Sequence, residues 1–149
     1  MARHPRWVRR LLADDDLDHI AGAVSTAEAR TSAEIRVHLE ARCPGDAMVQ
    51  AVAVFERLGM HRTAARNGVL VYVAVEDHKL AVIGDQGIHQ AVGEEYWRRL
   101  VDAVLAHMRD GRPRDGLALA VREIGEALAR FFPRGGDDRN ELSDRVSLE

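Results

Sequence analysis

The chain has 149 residues, a formal net charge of −3 and a single cysteine, Cys43. This length suits one domain with its own core, and a single cysteine excludes an intrachain disulfide. Because no long basic run occurs, a nucleic-acid-binding protein is disfavoured. No apolar run approaches the roughly 20 residues that cross a bilayer. We therefore expect a cytoplasmic protein that is not transmembrane.

The first 13 residues form a basic arm that mixes arginines with Trp7 and a few aliphatic residues. Such a segment could touch an anionic membrane surface, but we favour a solvated arm whose Trp7 packs on the domain. Asp14-Asp15-Asp16 is suited to a helix start, because carboxylates cap free amides and complement the helix dipole. Helical spacing of apolar residues predicts a first helix to about Ala29.

Strict alternation of apolar and polar residues predicts a strand from Glu34 to Glu40 with one polar face. This half-polar pattern indicates a position nearer the sheet edge than the strand that follows. Asp46 can cap the next helix, which Gly59 closes. A strand at Gly68–Val75 comes next, and this spacing predicts a right-handed crossover between two parallel strands.

Gly68–Val75 is almost continuously apolar and β-branched, which is typical of a strand buried on both faces. A polar break at Glu76-Asp77-His78 separates it from a second apolar run, Lys79–Ile83. The break is short enough for a hairpin loop, so these two strands should be antiparallel. Helices should cover the hairpin on both sides.

After the hairpin we predict a short turn and then a helix from about Glu94, which Gly111-Arg112-Pro113 ends. A last helix begins near Asp115 and stops before Pro133. Residues 133–149 lack an apolar period and are expected to form a flexible polar tail. The predicted fold is α/β: one domain, residues 14–132, whose small mixed sheet combines a parallel crossover pair with an antiparallel hairpin between about four helices.

The strand directions place polar residues at one rim of the sheet. Glu34 begins the first strand, Arg66 and Asn67 precede the second, and Asp85 follows the third. One hypothesis is a site for Ca²⁺ or Mg²⁺ that uses Glu34 and Asp85, with Asn67 or a backbone carbonyl adding oxygen. The structural alternative is that Glu34 pairs with Arg66 while Asp85 caps the turn.

A second hypothesis for the same rim is anion binding. Arg66 and Asn67, with exposed amides between Gly84 and Gly87, could cradle a phosphate. Arg66 and Asp85 are then the candidate catalytic residues. The sequence contains no complete phosphate loop, dinucleotide fingerprint, HExxH or CxxC, and its seven histidines are scattered.

The segments TSAEIRV and VFERLGMHRTAARNGVLVYVAVEDHKLAVIGDQGI resemble the TPM domain family, over roughly Leu17 to Phe132. The resemblance implies an α/β sandwich. It also implies functions seen in the family: acid phosphatase activity and a bound calcium ion in plant lumenal members, and occurrence beside LemA-type proteins in bacteria. The rim residues shared with the family are Glu34, Arg66, Asn67, Gly84, Asp85 and Gly87.

Two functions follow as expectations. The first is a binding or scaffold module that acts with a membrane-associated partner, either LemA-like or a membrane-anchored TPM protein, and holds a divalent cation. The alternative is a metal-dependent phosphatase, in which the cation polarises a phosphomonoester, Arg66 clamps it and metal-bound water attacks. The sequence offers no obvious nucleophile–base pair, which favours the binding module.

Overall fold

The computed structural model describes residues 6–9, 11–62, 67–134 and 146–148. Within them a four-stranded sheet has the order β3-β2-β1-β4. The strands are β1 (Glu34–Glu40), β2 (Gly68–Ala74), β3 (Lys79–Gly84) and β4 (Ser147–Leu148). The helices are α1 (Arg6–Arg9), α2 (Asp14–Glu28), α3 (Ala47–Arg57), α4 (Gln86–Val92), α5 (Glu94–Arg109) and α6 (Pro113–Phe131), with a 3₁₀ turn at Met60–Arg62.

The strand pairing confirms the predicted α/β fold. β1 and β2 are parallel, in register from Glu34 opposite Gly68 to the ends of both strands. β2 and β3 form the predicted antiparallel hairpin, with Val69 opposite Gly84. In the hairpin loop His78 has a positive φ of 53°. This left-handed backbone conformation occurs in turns and not in strands.

The sheet is covered on both faces, as the apolar run of β2 predicts. One face carries Ile35, Val37 and Leu39 of β1 and packs in a large core with residues of α2, α5 and α6. The other face carries Leu70 and Tyr72 of β2, which belong to a smaller cluster beneath α3 and the 3₁₀ turn. Alternation along each strand sends neighbouring residues to opposite layers.

Both ends of α3 lie where they were predicted, and α6 begins slightly earlier than predicted. Asp46 Oδ1 accepts a hydrogen bond of 2.8 Å from the Met48 N–H and so caps α3. Gly59 follows that helix with a φ of 74°, which glycine adopts at little cost. α6 begins at Pro113, two residues before the predicted Asp115, because the fixed φ of proline suits a first helical position.

The predicted turn after the hairpin is instead the short helix α4, and Asp85 is its N-cap. Ile88 of α4 is fully buried. A Cβ added at Gly84 would lie 2.7 Å from Ile88 Cγ2 and 3.2 Å from the ring of Trp97. Gly84 therefore allows α4 and α5 to pack closely on the end of β3, a tertiary requirement that the local sequence did not reveal.

Both ends of the chain contribute more than was predicted. Val8 and Leu12, within the predicted arm, are 0% and 1% exposed and join the large core. The expected flexible tail is corrected at its end, since Ser147–Leu148 form β4 and pair in parallel with His38–Leu39 of β1. Residues 135–145 of that tail lie outside the described residues.

Candidate functional site: a polar rim and a buried polar network

The predicted polar rim is present at one end of the sheet. Glu34 opens β1, Asn67 directly precedes β2, and Asp85 directly follows β3. All three are buried, at 4%, 2% and 7% exposure respectively. The strand register sets this placement, because Glu34 lies opposite Gly68 on one side and β3 ends beside the same glycine. Arg66, the predicted anion clamp, lies outside the described residues.

Gly68 separates the two carboxylate residues of the rim. Two strand spacings of ~4.8 Å put the Cα atoms of Glu34 and Asp85 about 10 Å apart. The buried Met60 side chain packs over this interval, with its Cε and Cβ 3.5 and 3.6 Å from the Cβ position that Gly68 lacks. The Met60 carbonyl oxygen lies 3.3 Å from the point where a Cβ of Gly68 would sit. The rim thus groups two carboxylates, the Asn67 amide and a backbone carbonyl.

Asp85 also has a structural role at the rim. Its side chain accepts a hydrogen bond of 2.7 Å from the Gln86 N–H, and its backbone N–H donates to the Gly68 carbonyl at 2.8 Å. Its carbonyl accepts from Ile88 and His89 in the first turn of α4. Gly87 is the second residue of this helix, so the segment that was predicted as a turn with exposed amides is helical from Gln86 onward.

A cationic side chain, that of Arg36, also lies near the rim. Arg36 follows Glu34 by two residues on the same face of β1, and burial lowers the pKa of its guanidinium while the charge of Glu28 opposes that shift. Glu28 is itself held in place, since its Oε2 accepts a 2.7 Å hydrogen bond from the Ile35 N–H. The rim is therefore mixed in charge rather than purely acidic.

The donor set limits what kind of metal the rim could hold. In the part of the chain that the structure describes, no group of three or more His, Cys, Asp and Glu residues is placed to hold a metal ion. A cation at the rim would rely on two carboxylates and neutral oxygens. That set suits a hard cation and not zinc, which prefers nitrogen and sulfur ligands.

A second polar cluster, which the sequence analysis missed, lies on the same face of β1. His38 is fully buried. Its Nδ1 lies 2.6 Å from Ser147 Oγ of β4, and its Nε2 lies 3.3 Å from Glu40 Oε1. The Tyr72 hydroxyl donates to Glu40 Oε2 at 2.9 Å. We call this cluster the buried polar network: His38, Glu40 and Tyr72 are buried, and Gln50 and Ser147 are half-buried at its margin.

Glu40 is the centre of this network. Gln50 Nε2 donates to its two carboxylate oxygens at 3.1 and 3.2 Å, and Arg57 lies 3.5 Å away. Burial alone would raise the pKa of Glu40, but hydrogen bonds from Gln50, Tyr72 and His38 outweigh it, so the pKa is lowered. Burial, together with Cys43 and Glu40, raises the pKa of Tyr72. Glu40 is thus an ionised acceptor and Tyr72 a neutral donor.

The series Ser147, His38, Glu40 has the order of a hydrolytic triad. The imidazole is fully buried, however, and the hydroxyl belongs to the strand that pairs beside it. Withdrawing β4 to expose His38 would carry Ser147 away with it. The arrangement therefore links β4 to β1 by a side-chain hydrogen bond. Both nitrogens of the buried imidazole have a hydrogen-bond partner, as buried polar groups generally do.

A sequence signal for this network existed. The alternation in β1 places Arg36, His38 and Glu40 on one face, and the parallel register puts Tyr72 opposite His38. The same alternation predicts a strand with one polar face, nearer the sheet edge than β2. In the structure all but Arg36 are buried, because partners from three other elements satisfy them.

None of the described helices is both long enough and apolar enough to cross a membrane.

Comparison with known proteins identifies the family. The TPM domain profile matches residues 9–127. No curated protein matches the sequence. Among solved structures, the BA42 protein of the psychrophilic bacterium Bizionia argentinensis is 38% identical, with a TM-score of 0.85 over 93% of this chain and 95% of that one.

Two more distant structures share the fold. The N-terminal domain of a P. gingivalis protein is 16% identical, with a TM-score of 0.68 over 82% of this chain and 79% of that one. The N-terminal domain of the cg2496 protein of Corynebacterium glutamicum is 12% identical, with a TM-score of 0.64 over 96% and 95%. With a profile match over most of its length and a close structural relative, the chain belongs to the TPM domain family.

Proposed function

We propose that this TPM domain is a cytoplasmic binding module that holds Ca²⁺ or Mg²⁺ at the polar rim and acts with a membrane-associated protein partner. The observation that supports the cation site is the strand register, which brings Glu34, Asn67 and Asp85 to one end of the sheet. Clustered carboxylate, amide and carbonyl oxygens are the ligands that hard cations such as Ca²⁺ and Mg²⁺ take in proteins.

The available oxygens set the expected strength of binding. Ca²⁺ takes six to eight oxygen ligands and Mg²⁺ takes six, so two carboxylates, one amide and one carbonyl would leave the remaining positions to water. Sites with few charged ligands bind Ca²⁺ weakly, with dissociation constants of roughly 10⁻⁴–10⁻³ M. We expect the dissociation constant for Ca²⁺ at the rim to lie in this range.

Isothermal titration of the protein with Ca²⁺ and with Mg²⁺ tests the cation site. Asp85→Asn is the informative variant, because asparagine caps helices as well as aspartate does but removes the ligand charge. Glu34→Gln likewise removes the ligand charge, on the other side of Gly68. Each change alone should abolish the heat of binding.

Asp46→Asn is the matched control, since Asp46 also caps a helix through its side chain but lies outside the rim. It should leave the titration unchanged. The cation site is refuted if the wild-type protein gives no heat at millimolar metal, or if Asp85→Asn and Glu34→Gln bind as it does.

The alternative function is a metal-dependent phosphatase that uses the same rim. Membership of the TPM family supports it, as does the cationic Arg36, which follows Glu34 by two residues on the same face of β1. The cation would polarise the phosphate, Arg66 would clamp it, and water would attack. Hydrolysis of p-nitrophenyl phosphate with and without Mg²⁺ tests this, with Asp85→Ala and Arg66→Ala as variants.

Metal-dependent turnover that both variants abolish would replace the binding module by the phosphatase. Turnover unaffected by either would point to a contaminating enzyme.

The proposed partner is a membrane-associated protein, either LemA-like or a membrane-anchored TPM protein. Co-flotation with membranes from native cells tests this step. The protein should float with the membranes and be lost after the membranes are treated with protease. Flotation with protein-free vesicles of the same lipids would instead indicate direct lipid binding through the basic residues 1–13.

A further inference from the structure

The outer edge of β3 is not paired with another described strand, and its residues Leu80 and Val82 are 9% and 3% exposed. β3 is the last strand on its side of the sheet, and among the described residues no strand lies beyond it. The Asp85 N–H bonds to the Gly68 carbonyl, which sets the phase of the β2–β3 ladder. Since hydrogen-bonded and non-bonded pairs alternate in an antiparallel ladder, Leu80, Val82 and Gly84 direct their N–H and C=O groups away from β2.

This edge lies at the bottom of a groove. The groove has a volume of about 310 Å³ and runs between the start of α3 and the face of α5. Its apolar lining consists of Ala47, Met48, Leu80, Ala81, Val82, Trp97 and Val101. Trp97 is only 7% exposed, and its Nε1 has no hydrogen-bond partner within the described part of the chain.

Exposed apolar side chains continue this groove onto the surface of α3. Met48, Val49 and Val52 are 45%, 69% and 39% exposed. Of the large hydrophobic side chains that are exposed among the described residues, only Phe131 lies elsewhere. A cluster of this kind beside a groove is characteristic of a surface that contacts another molecule.

The ionised groups at the groove are mainly acidic. Asp46, Glu94 and Asp102 line it, and Arg98 is the cation among them. Arg98 lies 3.6 Å from Glu95, a carboxylate that it shares with Arg99 at 3.3 Å. Outside the lining, Lys79 at the start of β3 directs its ammonium to the carbonyls of Cys43 and Gly45, at 2.7 Å each.

We propose that the groove binds an extended peptide segment of a partner protein, which adds a strand to the edge of β3. Backbone bonds to Leu80 and Val82 would hold the strand, and its side chains would alternate between α3 and α5. Both sides of the groove are lined by apolar side chains, so the peptide carries small or β-branched residues such as valine and threonine. The acidic lining selects basic residues at its ends.

The acidic lining also argues against a second copy of this chain as the occupant. Pairing two β3 edges about a two-fold axis would place the same patch opposite itself. Asp46, Glu94 and Asp102 of one copy would then face the same three carboxylates of the other. Like charges placed together in this way are unfavourable.

The proposal stands on residues other than the polar rim. Asp85→Asn should remove the cation site and leave peptide binding intact, so failure of one proposal is distinguishable from failure of the other.

The test uses a capped peptide of sequence Arg-Val-Thr-Val-Thr-Val-Thr-Arg. Two control peptides accompany it: one has glutamate in place of both arginines, and one has proline in place of the three threonines. The readout is Trp97 fluorescence in a Trp7→Phe background, since the chain contains two tryptophans. The arginine peptide should bind, and both controls should bind at least roughly tenfold more weakly, from lost charge attraction and lost backbone bonds.

Two variants locate the binding. Val82→Pro removes an outward N–H that β2 does not use, and it should weaken binding roughly tenfold. Because Val82 also packs in the large core, the circular dichroism spectrum of the variant is compared with that of the wild type. Asp102→Lys reverses one groove charge without threatening the fold and should weaken binding roughly 3- to 10-fold. The control Asp110→Lys makes the same charge change eight residues along, at the exposed end of α5, and should have no effect.

Several results would overturn the proposal. One is no fluorescence change at millimolar peptide, and another is equal binding by the wild-type, Val82→Pro and Asp102→Lys proteins. Weakening by Asp102→Lys alone would mean that the peptide rests on an acidic surface and not on the strand edge. A concentration-dependent dimer in sedimentation, abolished by Val82→Pro, would make a second copy the occupant.

Discussion

The two faces of the sheet are buried to similar degrees but are built differently. Alternate residues of β1 show this most clearly: Val37 and Leu39 enter a large apolar core, whereas His38 and Glu40 enter the buried polar network under α3. Exposure does not distinguish them, since Leu39 and His38 are both 0% exposed. Burial therefore depends on what covers a residue, and a polar residue tolerates it when its partners are in place.

The apolar face should show the largest response to truncation. Leu39→Ala removes a fully buried side chain from the large core, and the cavity left behind should lower the free energy of unfolding by about 2–5 kcal/mol. Urea denaturation measures this change. Val49→Ala, at a position 69% exposed, is the control and should change stability by less than about 0.5 kcal/mol. A loss at Leu39 no larger than the control would mean that this face is not packed as described.

The polar face should respond through unsatisfied donors. Glu40→Leu keeps a side chain of similar size but removes the acceptor of Tyr72 and Gln50, which should cost about 1–3 kcal/mol. The same urea experiment measures it. Combining Glu40→Leu with Tyr72→Phe should recover part of the loss, because the tyrosine donor is then absent as well. If the double variant were no more stable than the single one, the Tyr72–Glu40 bond would have little energetic weight.

The pH dependence of stability should distinguish the two faces. The pKa of Glu40 is lowered in the folded protein, relative to an unfolded value of about 4.3. Its stabilising contribution is therefore fully present above that value and is lost as the pH falls through the folded pKa. Glu40→Gln should flatten this acid limb of the free energy of unfolding between pH 6 and pH 3. Leu39→Ala should lower the whole curve without changing its slope. An unchanged acid limb in Glu40→Gln would show that other carboxylates dominate it.

The smallest effect is expected at the outer end of the polar network. Ser147→Ala removes the hydrogen bond to His38, which should cost about 0.5–1.5 kcal/mol. Hydrogen exchange at the backbone amide of Leu148 should become faster in the same variant, because β4 loses a side-chain hydrogen bond to β1. Exchange at the amides of β2 should stay slow. Unaltered exchange at Leu148 would mean that the two backbone pairs of β4 hold the strand without the side chain.

The polar rim was predictable because the connection between two strands sets their relative direction. A short hairpin loop joins antiparallel strands, and a long crossover with a helix joins parallel ones. Alternation in Glu34–Glu40, the apolar run of β2 and the polar break before β3 indicated three strands and their directions. Those directions place Glu34, Asn67 and Asp85 at one end. That Met60 contributes a carbonyl oxygen over Gly68 could not be predicted, because it depends on how the 3₁₀ turn packs on the sheet.

The sequence by itself determined the three long strands, their parallel and antiparallel pairing, the caps of α3 and the presence of helices on both faces. Periodicity and turn chemistry act over a few residues, so they can be read along the chain. Only the tertiary structure decided that α4 forms, that Val8 and Leu12 enter the core and that the polar face of β1 is buried. The bond between His38 and Ser147 joins residues 109 positions apart. No local pattern specifies such a partner, because its stability comes from the packing that brings both residues together.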